Sequence, residues 1–166
     1  MKQDNFNKKE ILANISPIIE HVAAKLGLTV IEISLVKEAG NWFLRIFIYS
    51  SEHSISHQDC EAMTKGLDDY LEQLIPFHYY LEVSSPGTDR KIKSPKEYNI
   101  FSGKKAEIKL KKPLDENIKI FKAKIIEHTP DGKLHVETLE DNMSLILEDN
   151  NISTVKLIHE NIGDKK

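Results

Sequence analysis

The sequence predicts an α+β chain of two small domains, a helix-strand-strand-helix-strand unit followed by a small barrel of short strands. Three observations predict it. Apolar residues recur twice at helical spacing in the first half. Short β-branched runs separated by turn signals fill the second half. The 166 residues suffice for two small domains and are too few for two large ones. The expected division is 1–91 for the α/β domain and 92–160 for the barrel, with 161–166 a disordered tail.

The elements follow in order. Ile11, Leu12, Ile15, Ile18, Ile19, Val22 and Leu26 mark one amphipathic helix over about residues 8–26, stopped by Gly27. Pro17 lies inside it and either kinks or divides it, because proline lacks an N–H and crowds the preceding turn. Two strands, 30–36 and 42–49, are rich in β-branched and aromatic residues, with Ala39-Gly40-Asn41 as the hairpin turn. Ser56 reads as a helix N-cap with Asp59 three residues on, close to a capping box. Cys60, Met63, Leu67, Tyr70, Leu71 and Leu74 give that helix its buried stripe, and Pro76 marks its end. A third strand covers 79–83. If it runs parallel to its neighbour, the crossover should be right-handed.

Ser84-Ser85-Pro86-Gly87 then reads as a type II turn, in which Pro fixes one φ and Gly supplies the positive one. Ser94-Pro95-Lys96-Glu97 combines an N-cap, Pro at the first helical position and Glu at the third, so a short helix should run to Phe101 and stop at Gly103. Candidate strands follow at 104–110, 118–128, 133–138, 143–147 and 152–158. Asp131-Gly132 and Glu140-Asp141-Asn142 are turns between them, and 147–151 is a single helical turn. Five short strands with tight turns suggest an SH3-like or Sm-like barrel.

Chemistry is sparse. The single Cys60 permits no intramolecular disulfide and reads as a small buried hydrophobe. No apolar run reaches the length of a membrane span, and the N-terminus lacks the apolar stretch of a signal peptide, so the chain reads as cytoplasmic. The glycines never cluster into a phosphate loop, and no nucleophile elbow is present. His53 and His57 stand four apart with no third ligand nearby. No catalytic residue, metal or cofactor is therefore expected, and the chain is expected not to be an enzyme.

Charge is the informative property. The net charge is −3, yet residues 1–89 hold 7 basic and 13 acidic residues, 90–124 hold 12 and 4, and 125–166 hold 4 and 9. A basic segment between acidic ones points to a polyanionic partner for one region, or else to a solvated strand face protected by lysine. Lys104, Lys105, Lys109, Lys111 and Lys112 surround the first barrel strand, and Lys119, Lys122 and Lys124 mark the second. Lys105 projects with Lys109, and Lys122 with Lys124, since residues two apart in a strand share a face. Such a cluster can touch RNA phosphates without reading bases. Upstream, Ser84, Ser85, Pro86, Gly87, Asp89 and Arg90 form either a rigid interdomain turn or a loop in which Arg90 reaches a phosphate or carboxylate.

The stretch 81–110 resembles the RimP family of bacterial ribosome maturation factors. Its Ser84-Ser85-Pro86-Gly87-Thr88-Asp89-Arg90-Lys91 is similar to the family's S-S-P-G-x-D-R-P, with Thr88 in place of the usual apolar residue and Lys91 in place of the usual proline. Lys25-Leu26-Gly27-Leu28, the segment 55–60 and the closing strand 151–157 extend the likeness over nearly the whole chain. The resemblance implies a cytoplasmic, non-enzymatic factor acting late in assembly of the 30S subunit. It also implies that the partners are 16S rRNA and ribosomal protein twelve of the small subunit, the latter met by the C-terminal barrel. A general RNA-binding translation factor is the alternative that the same lysines support.

Overall fold

The computed structural model describes residues 6–115 and 118–158. The expected disordered tail, 161–166, lies outside the described residues. The chain divides into two compact units between Pro86 and Gly87.

In the first unit α1 (Lys8–Lys25) is one continuous helix despite Pro17, capped by the Asn7 side chain, which accepts from the Glu10 N–H. The hairpin of β1 (Thr29–Glu38) and β2 (Asn41–Tyr49) turns on Ala39 and Gly40 alone. Both have positive φ, at 49° and 81°, as the twist-matched two-residue turn requires. α2 (His57–Leu74) begins with a complete capping box: Ser56 Oγ accepts from the Asp59 N–H, and Asp59 returns the bond to the Ser56 N–H. β3 (Tyr79–Ser84) then pairs parallel to β2, giving the sheet order β1-β2-β3.

The core of this unit is made by Ile15 and Ile19 of α1, Leu35, Leu44, Ile46 and Ile48 of the sheet, and Met63, Leu67 and Leu71 of α2, all fully buried. Tyr70 corrects the expected stripe of α2. It is 53 % exposed, standing at the margin of the Met63–Leu67–Leu71 stripe. Cys60 is half-buried, and burial pushes its thiol pKa up.

The second unit opens with α3 (Pro95–Ile100) and continues through β4 (Lys105–Leu114), β5 (Ile118–Thr129), β6 (Lys133–Thr138) and β7 (Ser144–Glu148). A 3-10 turn (Asp149–Asn151) then leads to β8 (Ile152–Leu157). The pairings are antiparallel throughout, in the order β7-β6-β5-β4-β8. Among the described residues no ladder joins β7 to β8. The sheet is therefore an open one, not the closed barrel that its five short strands suggested. Phe101, Ala106, Ile108, Leu110, Ala123, Ile125, Leu134 and Val136 fill its inner face. The alternation buried-exposed along β4 places Lys105, Glu107 and Lys109 on the other face.

Candidate functional site

Two assemblies of charged side chains in the second unit define the candidate site. The first is structural. The turn after Pro86 is not the expected type II turn. Gly87 is absent from the positive-φ residues, and its carbonyl accepts from the Arg90 N–H at 3.2 Å, so the chain reverses over Thr88 and Asp89. Arg90 then becomes a fixed point. Its carbonyl accepts from the Leu157 N–H at 2.8 Å, and the Ile92 N–H donates to the Val155 carbonyl at 2.8 Å, so 90–92 lies along β8 as an added strand.

The Arg90 side chain turns inward to Glu97. Nε donates to Glu97 Oε1 at 2.6 Å, and the two side chains are 7 % and 1 % exposed. The other carboxylate oxygen, Oε2, accepts from the Lys93 N–H and the Ser94 N–H at 2.9 Å and from Ser94 Oγ at 3.2 Å. Burial alone would raise the Glu97 pKa. The Arg90 hydrogen bond, the backbone donors and the Arg90 charge outweigh it and hold the carboxyl below its ordinary range. The sequence announced Glu97 as a helix-cap residue, and its second role as the counter-ion of Arg90 was not read. The spacing in Arg90-x6-Glu97 was the available signal. α3 is secured further by Tyr98 stacked on His128 at 5.2 Å, by Asn99 bonded to the main chain of His128, and by Ser102 Oγ donating to the Ile126 carbonyl. Burial, then the nearby Asp149 and Glu97 carboxylates, push the Tyr98 hydroxyl up to about 12.

The second assembly is the basic strip. Strand register sets Lys105 of β4 directly opposite Lys124 of β5, Glu107 opposite Lys122, and Lys109 opposite Ile120. On the other side of β4, β8 sets Lys156 opposite Glu107 and Thr154 opposite Lys109. Lys105, Lys109, Lys122, Lys124 and Lys156 therefore share the outer face of three adjacent strands, all exposed. Lys156 was not read from the sequence, because only the β4–β8 pairing brings it there. Lys91, bridged to Lys156, continues the row. Lys104 is exposed at the entry to β4. Lys111 and Lys112 lie within the register shift of β4 against β5, where the main chain of Lys112 is clamped by the Asn151 amide. Lys119 falls on the opposite alternation of β5 from Lys122 and Lys124 and is not brought to them. Of the upstream residues, Ser84 ends β3, Ser85 and Asp89 are exposed, and Pro86 is half-buried.

Among the described residues no group of His, Cys, Asp and Glu side chains could hold a metal ion, and no helix is long and apolar enough to cross a membrane. The family model of the RimP N-terminal domain matches residues 18–89. Residues 18–89 thus carry a RimP N-terminal domain. The match covers the C-terminal part of α1, the β1–β2–β3 sheet and the α2 crossover, and it ends at Asp89, immediately before the buried Arg90. RimP proteins are a family of ribosome maturation factors, so the partner to be explained is a ribosomal one.

Proposed function

We propose that this protein promotes late assembly of the 30S subunit by binding alone, as a cytoplasmic monomer without catalytic residue or cofactor. In this reading the outer face of β4, β5 and β8 lies against phosphates of immature 16S rRNA, and acidic surfaces elsewhere meet ribosomal protein twelve of the small subunit. We read the second unit as a member of the SH3-like class. Five short antiparallel strands with a 3-10 turn before the last support that reading.

The observation that carries the proposal is the direct opposition of Lys105 and Lys124, with Lys109, Lys122 and Lys156 on the same face, where these lysines outnumber the acidic Glu107 and Glu137 set among them. Like charges directly opposite in a sheet are destabilising. A polyanion docked on that face would turn the repulsion into attraction and release counterions as it did so. Lysine in place of arginine suits backbone contact better than base reading. The acidic balance of residues 1–89 and 125–166 supplies the complementary field for a cationic protein.

The test is co-sedimentation with immature small subunits across a salt series. Binding should fall steeply with salt and be selective for the immature small subunit. Equal binding to both subunits at every salt concentration would overturn the proposal. Charge reversal at Lys105, Lys109, Lys122 and Lys124 separates the alternative. A general RNA-binding factor would lose all binding, whereas an assembly factor with protein contacts would keep a salt-resistant residue.

A further inference from the structure

The two edges of the five-stranded sheet are treated differently. The β8 edge is covered over 155–157, where 90–92 pairs with it through Arg90 and Ile92. The β7 edge is not. Among the described residues β7 pairs with β6 alone. At one end of that ladder the Thr138 N–H donates to the Met143 carbonyl, and at the other the Asp149 N–H donates to the Gly132 carbonyl. Those two bonds fix the alternation. Leu145 and Leu147 turn their main-chain groups to β6, and Ser144, Ile146 and Glu148 turn theirs outward.

An open edge is normally guarded by lysine, proline or a bulge. β7 is Ser-Leu-Ile-Leu-Glu: it is short and ends in a charge, but it carries no lysine, proline or bulge. Ile146 is 60 % exposed and Met143, just before the strand, 55 %. The ends of the edge are acidic: Glu140 and Asp141 are exposed in the turn before it, and Glu148 is exposed at its end. Local cations offset this incompletely. Lys133 stands opposite Glu148 but lies 3.7 Å from Asp131, and Asp149 is held by His128 at 2.9 Å. These charges decide the occupant. A second copy pairing through β7 would bring acid against acid in either strand direction. An extended segment with apolar alternation and Lys or Arg at its ends would be attracted at both.

We infer that the β7 edge is a strand-addition site for a cationic, extended segment of a partner protein. Main-chain bonds to Ser144, Ile146 and Glu148 would supply affinity, Ile146 and Met143 the apolar contact, and Glu140, Asp141 and Glu148 the choice of a basic partner. This rests on the proposed binding of a cationic ribosomal protein and specifies how it docks. It places the protein contact on a different edge from the lysine-bearing strands.

The test uses the full chain and a capped peptide, Arg-Lys-Val-Thr-Val-Thr-Val-Lys-Arg. Two controls accompany it, one N-methylated at every Val and Thr and one with Glu and Asp in place of Arg and Lys. The parent peptide should slow amide exchange at Ser144, Ile146 and Glu148 at least tenfold, and both controls should bind at least tenfold more weakly. Ile146→Pro removes an outward N–H while leaving the β6 ladder intact, and should weaken the parent peptide at least tenfold. Should that variant misfold, Glu140→Lys with Asp141→Lys tests the same surface and should weaken it severalfold. The inference is overturned by equal binding of the N-methylated or anionic peptide, by no binding, by protection elsewhere than β7, or by concentration-dependent self-association through β7. None of these outcomes touches co-sedimentation with ribosomal particles, so the two proposals fail separately.

Discussion

Arg90 and Glu97 form a buried ion pair, Nε to Oε1 at 2.6 Å, in which each partner also organises main chain. Arg90 carries the strand added to β8, and Glu97 ties the N-terminus of α3 to the Lys93–Ser94 turn. Removing one partner leaves a buried charge unmatched, which costs about 3–5 kcal/mol. Glu97→Ala should therefore lower the unfolding free energy of the second unit by that amount in denaturant titration, and loss of under about 1 kcal/mol would show the pair to be dispensable.

The same pair sets an acid limit. The Glu97 carboxyl is held below its ordinary value in the folded state, so folding favours its ionised form. Its contribution is complete above the unfolded pKa, about 4.3, and is lost as pH falls through the lower folded value. Stability should decline on acidification below that point. In Glu97→Gln, which cannot ionise, the decline should be shallower across the same window. Parallel stability–pH curves for the two proteins would exclude the assignment.

Ala39 occupies the first position of the β1–β2 turn at φ 49°. A left-handed conformation costs an ordinary L-residue about 1–2 kcal/mol, whereas Asn and Gly adopt it readily. Ala39→Asn creates the preferred Asn-Gly pair and should raise the thermal midpoint of the first unit, with a gain of about 0.5–1 kcal/mol. A fall in the midpoint would mean that the Ala39 methyl has a contact worth more than the strain.

Lys105 and Lys124 offer a case in which stability and binding should move oppositely. Lys105→Thr removes the like-charge opposition while leaving Lys124 its other neighbour, Glu137 of β6, and places a good strand former on the outer face, so stability should hold or rise by about 0.2–1 kcal/mol. RNA affinity should fall, and the slope of log affinity against log salt should decrease by about one. Loss of stability with unchanged affinity would reverse the roles assigned to this residue.

These sites differ in how legible they were in the sequence. The capping boxes, the Ala39-Gly40 turn and the helical stripes depend on neighbours within a few residues, so local spacing shows them. Lys156 depends on which strand lies beside β4, and pairing of β4 with the last strand is set by the whole sheet. Closure is likewise a property of both edges: strand number and length suggested a barrel, but the absence of a β7–β8 ladder is not a local feature. The sequence leaves Arg90 open between a rigid turn and a contact reaching phosphate or carboxylate, because its counter-ion lies seven residues away. Arg90 is buried because Glu97 provides a counter-ion with three further hydrogen-bonding groups around it. Tyr70 differs for a simpler reason, since helical spacing alone does not separate the margin of a buried stripe from the solvent face beside it.

Gly66 of α2 explains itself through a distance. A Cβ built on it would lie 2.8 Å from Cγ1 of Val22 on α1, closer than atoms tolerate. Glycine in a helix interior normally costs about 1 kcal/mol relative to alanine, so the residue is retained at this crossing against its own propensity. Val22 is β-branched and cannot rotate away freely. Gly66→Ala should therefore destabilise the first unit, by about 1–3 kcal/mol for an overpacked contact, despite the better helix former. Val22→Ala removes the obstructing methyl and should itself cost about 1 kcal/mol or more. In that background Gly66→Ala should change sign and stabilise. The decisive measurement is the coupling energy of the double-mutant cycle, which should reach about 1 kcal/mol or more in the direction of mutual relief. Additive effects would mean that α1 and α2 shift apart at no cost, and that glycine is not required for their close approach.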